Sequence, residues 1–147
     1  MADGLILPAI DALRDVLPDT EGIAKDDTAT EPFKALPNRL YVWPRRLSNQ
    51  QLDRAAELAG REDLTVLRVR ILYALPSRGE SRNEKAERAL SVALDAAMVS
   101  IIATLGASRR HELWWDLVIE NVVPDAVRSF TVRACGIDVV LRLKGAT

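Results

Sequence analysis

Few side chains in this sequence are of the types and spacings that do chemistry. His111 stands alone in the polar stretch Ser108-Arg109-Arg110-His111-Glu112. A general base needs a partner to orient it, and no residue is spaced to serve, so an ordinary surface histidine is expected. Cys135 sits beside Gly136 inside an apolar run and reads as a small buried hydrophobe. Asp116 and Glu120 have the same parity in a strand-like stretch and point to one face. Two carboxylates on one face can divide acid and base roles, but they also suit plain solvation. Gly-rich phosphate loops, Gly-x-Ser-x-Gly, Cys-x-x-Cys and His-Glu-x-x-His are all missing from the sequence. No catalytic, cofactor-binding or metal-binding residue is assigned, no cofactor is expected, and a non-enzymatic role is anticipated.

The residues suited to recognition are more numerous. Trp114-Trp115 would place its rings on opposite faces of a strand, so one belongs in a core and the other over a loop or at an interface. Trp43, followed by Arg45 and Arg46, poses the same choice, since Trp and Arg are enriched at binding hot spots. Of the 20 basic residues 16 are arginine, which is coding bias before it is chemistry and does not by itself signal phosphate recognition.

Positioning these side chains is the task of one domain spanning 1–147. Hydrophobic residues at 48% and charged residues at 28% suit a globular chain, and a net charge of −1 gives no global field for nucleic acid or anionic lipid. No apolar run is seen to approach the roughly 20 residues of a bilayer span. The Met-Ala-Asp-Gly start lacks a secretory n-region, and one cysteine forms no internal disulfide, so a cytosolic origin is expected.

Ile6, Ile10, Leu13 and Leu17 predict an amphipathic helix over 5–17, with Pro8 in its first turn and Pro18 ending it. Residues 18–38 read as a long acidic, proline-containing loop, either solvated or ordered against a neighbouring subunit. Leu40-Tyr41-Val42-Trp43 reads as a strand ended by Pro44. Ser48-Asn49-Gln50-Gln51 matches a capping box opening a short helix to Gly60. Residues 65–75 alternate as a strand whose second face carries Arg68 and Arg70 among apolar neighbours. A turn at 77–80 leads to the capping box Ser81-Arg82-Asn83-Glu84 and a long helix with the stripe Leu90, Leu94, Ala97, Ile101 and Leu105, closed by Gly106 as its left-handed C-terminal residue. A strand over 113–123 turns at Pro124-Asp125 into a second over 127–135. Apolar parity then changes from Phe130, Val132 and Ala134 to Ile137, Val139, Leu141 and Leu143. A one-residue bulge at Cys135-Gly136 would restore one face, with a turn as the alternative. The order predicts an α+β fold, an antiparallel sheet of about four strands with both helices on one face.

The segments 63–73 and 81–89, and the run Val118-Ile119-Glu120-Asn121-Val122-Val123-Pro124-Asp125, resemble in order and spacing the tail-terminator, or tail-completion, proteins of long-tailed bacteriophages, the lambda-like family. The resemblance covers roughly 5–17 and 40–143, rests on pattern more than on an invariant motif, and leaves 48–62 as an extra element. It implies a non-enzymatic virion subunit, made in the host cytoplasm, that forms a homohexameric ring. Such a ring caps the tail tube, docks the head-tail connector protein and passes DNA through its lumen without reading sequence. The interface candidates are Trp43, Arg45, Arg46, Arg68, Arg70, Trp114 and Trp115. A head-completion or connector subunit of the phage neck, a sheet-based nucleic-acid-binding module and a small α+β enzyme are the alternatives.

Overall fold

The four-three-four spacing of Ile6, Ile10, Leu13 and Leu17 becomes α1 (Asp3–Val16), whose buried face is Ala9, Ile10 and Leu13. A computed structural model describes residues 3–45, 66–77 and 84–144. α1 begins two residues earlier than its apolar pattern, which places Pro8 beyond the first turn, where its missing N–H costs one helical hydrogen bond. The other elements are β1 (Ala24–Lys25), β2 (Arg39–Pro44), β3 (Val66–Pro76), α2 (Glu84–Ala107), β4 (Trp114–Arg128) and β5 (Val132–Leu143). The helix expected at 48–60 and both capping boxes, apart from Glu84, lie outside the described residues.

The fold is α+β, with a five-stranded mixed sheet in the order β1-β2-β3-β5-β4. The strand beyond the expected four is β1, inside the acidic segment, and it pairs parallel to β2. Two residues carry no periodicity, so the strand is defined by its partners. The Ala24 N–H donates to the Asn38 carbonyl at 3.0 Å, and the Asp26 N–H to the Leu40 carbonyl at 2.8 Å. Lys25 Nζ donates to the Leu17 carbonyl at 2.7 Å, tying the segment to the end of α1. Arg14, buried on α1, reaches the Thr28 carbonyl. The 18–38 segment is therefore fastened to α1 and β2 along part of its length.

Two hydrophobic clusters occupy opposite faces of the sheet. On the helix face, Leu67, Val69, Ile71 and Tyr73 of β3 and Cys135, Ile137, Val139, Leu141 and Leu143 of β5 meet α1 and the α2 stripe Leu94, Met98, Ile101 and Leu105. On the other face, Tyr41, Trp43, Leu72, Ala74, Val132 and Ala134 form a smaller cluster against Ala35, Ala126 and Val127.

This division explains the parity change. β5 pairs with β3 residue for residue from Val132 to Arg142, and no bulge interrupts it at Cys135-Gly136. Its first residues serve the second cluster and its later ones the helix-side core. The irregularities lie on β4, between Trp114 and Asp116, Ile119 and Asn121, and Val123 and Val127. Pro124-Asp125 is consequently inside β4. The chain reverses at Ser129–Thr131, where the Ser129 N–H donates to the Val132 carbonyl at 2.9 Å and Ser129 Oγ accepts from the Val132 N–H. Pro124 is tolerated because β4 is an edge strand whose outward donors pair with nothing in the sheet.

Two further expectations are corrected in α2. Gly106 does not adopt a left-handed conformation, and the helix runs through it to Ala107. The positive φ belongs instead to Gly22 (82°) and to Asn38 (60°), which leads into β2. α2 also holds an 18-residue window of mean hydropathy 1.9, apolar enough by length and composition to cross a membrane. Asp95 interrupts the run and hides it from simple reading. The row Leu94, Met98, Ile101 and Leu105 is nevertheless committed to the sheet.

Candidate assembly surface

Arg68 and Arg70 alternate with the helix-facing residues of β3, so both emerge on the second face. Register aligns Arg70 with Trp43 on one side and Asp138 on the other. Asp138 is 2% exposed. Arg70 Nε donates to its Oδ1 at 2.7 Å and Nη2 to its Oδ2 at 3.0 Å, a bidentate pair. Arg45 approaches the same carboxylate at 3.6 Å. Hydrogen bonds from Arg70 hold the Asp138 carboxyl below its ordinary value against the opposing effect of burial, and Arg45 and Asn121 add to the lowering. Glu120 bridges the remaining arginines, 3.4 Å from Arg68 and 3.9 Å from Arg45. Three arginines and two carboxylates thus form one network beside the second apolar cluster.

A shallow groove of about 340 Å³ adjoins this network, walled by Trp43, Leu72, Ala126 and Val127 and by residues 31–35. Phe33 at its rim and Phe130 at the hairpin tip are exposed aromatics.

The seven candidates separate into distinct settings. Arg45, Arg68 and Arg70 come together on the second face, and Trp43 stands beside them, buried in the second cluster. Arg46 lies outside the described residues. Trp114 is fully buried in the helix-side core, its Nε1 donating to the Ser108 carbonyl at 2.9 Å, so the monomer surface does not include its ring. Trp115 is 57% exposed, with Lys144 Nζ 4.6 Å from its ring centroid. The adjacent tryptophans divide as strand alternation requires, one inward and one outward.

Sequence reasoning missed Asp138, Phe33 and Phe130. An aspartate inside the apolar run Gly136-Ile137-Asp138-Val139-Val140 was the available signal, since a buried carboxylate demands a cationic partner. Phe33 carried no pattern, and Phe130, grouped by parity with Val132 and Ala134, stands exposed at the hairpin tip instead of buried with them. Of the other groups weighed, Cys135 is buried and its thiol is pushed up to about 11, chiefly by burial. His111 stacks on Trp114 at 4.1 Å between centroids, and its Nδ1 accepts from the Leu113 N–H. Asp116 and Glu120 each face an arginine, at 3.5 Å from Arg109 and 3.4 Å from Arg68. Among the described residues no group of three or more His, Cys, Asp or Glu is placed to hold a metal ion. No protein-family model matches the chain, and no curated protein matches it.

Proposed function

We propose that this protein is a structural subunit of a phage tail, a terminator that assembles into a ring, caps the tail tube and joins it to the head connector. The observation that carries the reading is the architecture. An N-terminal helix and one long helix back a sheet on one face, and the chain closes in a long C-terminal hairpin, the element order that the resemblance implies. A ring requires head-to-tail contacts between unlike surfaces. The chain offers them in exposed Phe33, Phe130 and Trp115, while the apolar residues of the second sheet face are covered within the monomer. The arginines of that face are engaged by Asp138 and Glu120, which suits a wall past which DNA moves better than a phosphate-binding platform.

The test is the native mass of the full chain by light scattering, with negative-stain images, alone and with purified tail-tube protein. A closed ring, about sixfold the 16.2 kDa monomer, is the expected result. A chain that stays monomeric on tail tubes and binds DNA with a steep salt dependence would instead support the nucleic-acid-binding alternative. Rings that bind isolated head connectors but not tail tubes would indicate a head-completion subunit.

A further inference from the structure

The two edges of the sheet carry charge of opposite sign. At the β1 edge, residues 19–27 hold Asp19, Glu21, Asp26 and Asp27 against Lys25, which Asp19 bridges at 3.0 Å, and Arg39 of β2 stands level with Ala24. The Asp19 side chain is 94% exposed, and Glu21 and Asp27 are exposed as well. Asp26 is fixed by the Thr28 hydroxyl and amide and faces Arg39 and Arg14, so the outward excess of negative charge is that of exposed Glu21 and Asp27. At the start of β4, on the opposite edge, exposed Arg110 stands in the link that precedes the strand, with exposed Glu112 two residues on. Lys144 lies over the exposed Trp115 ring and Arg142 is in register with Asp116, so cations remain in excess there. The nearby Asp116 carboxylate is taken up by Arg109.

β1 and β4 are the two terminal strands, so these regions cannot meet within one copy. Register sets them at diagonally opposite corners: β1 is level with Ala74 and Ala134, while Trp114 and Asp116 are level with Leu143 and Arg142. Each corner repels its own kind and attracts the other, which disfavours a two-fold pairing of like edges and favours a head-to-tail one. Trp115 supplies the large, half-desolvated aromatic that such a contact needs at its centre.

We propose that the acidic β1 corner of one copy docks on the Trp115–Lys144–Arg110 corner of the next copy. The inference deepens the ring reading and rests on it for closure into a ring. The occupant is a second copy because the complementary surface lies on the same chain.

Charge exchange on the full-length chain tests it, with circular dichroism confirming that each variant is folded. The wild type is expected to assemble at low salt and to dissociate toward monomer near 0.5 M, where screening shortens to roughly 4 Å. Asp27→Lys and Arg110→Glu are each expected to raise the concentration needed for assembly roughly tenfold or more, through like-charge contact. An equimolar mixture of the two variants is expected to recover assembly. In an alternating arrangement every contact is then either native or charge-swapped. Assembly by either variant at the wild-type concentration, failure of the mixture, or a wild type that stays monomeric at low salt would overturn the proposal. Salt-insensitive rings that tolerate both substitutions would remove this contact and leave the ring reading standing. Open chains that obey the charge rules would keep the contact and remove the ring.

Discussion

Asp138 shows how much one buried carboxylate commits around it. Its oxygens accept both hydrogen bonds of the Arg70 fork, with Arg45 at 3.6 Å behind. Arg70→Ala leaves a nearly buried charge with its main partner gone, and a loss of about 3 kcal/mol is expected at pH 7, read by urea denaturation. The sign of the pH dependence follows from the lowered carboxyl. Its unfolded value lies near 3.8 and its folded value below that. The pair's stabilisation is therefore complete above pH 4 and disappears as the pH falls through the folded value. Asp138→Asn should flatten the wild-type decline in stability below pH 4, and an unchanged slope would assign that decline to other carboxylates, Asp26 first. The tryptophans give a second contrast at this scale. Trp114→Ala empties a fully buried site and is expected to cost about 3–5 kcal/mol. Trp115→Ala should change monomer stability by less than roughly 0.5 kcal/mol and lower the native mass of the assembly. An unaltered native mass would return Trp115 to an ordinary exposed residue.

At the scale of elements, the β4–β5 hairpin shows what local pattern reveals and where it stops. α1, the α2 stripe and the first half of β3, Val66 to Arg70, were legible because each buries one continuous face, and periodicity records a single face. β5 is buried on both faces from Val132 to Val139, so its parity change marks a transfer between two cores and mimics a bulge. Pro124-Asp125 has the composition of a turn, but the pairing of Val127 with Ala134 and Arg128 with Arg133 carries the strand past it. β1 could not be read at all, since its two residues are held by backbone bonds to a distant strand. The bulged part of β4 closes on Gly136, where an added Cβ would lie 3.1 Å from Ala126 Cβ. Gly136→Ala is expected to destabilise the fold by about 1–2 kcal/mol through overpacking. Ala126→Gly in that background should recover part of the loss, because the two sites share one contact. Additive effects of the two substitutions would mean that the hairpin does not press on Gly136.

Across the whole molecule, a net charge of −1 conceals a separation of charge that appears only when the strand order is known. The recognition residues were legible as types, yet only the fold distinguishes Trp114 in the core from Trp115 at an edge. The same distinction applies to α2. Between Ala89 and Ala107 its one charged residue is Asp95, and Val92 and Val99 stand 60% and 67% exposed on the side away from the sheet. A bare apolar helix face invites a partner. Here most of the outward positions are alanine and serine, which add little buried area each, and alanine serves a long helix through its propensity alone. If copies associate through the sheet edges, the helix layer lies outside the contact. Val92→Glu and Val99→Glu together are then expected to leave the native mass unchanged and to shift monomer stability by no more than roughly 1 kcal/mol. Collapse of the assembly to monomer in this variant, with its circular dichroism intact, would move the contact from the sheet edges to the helix layer.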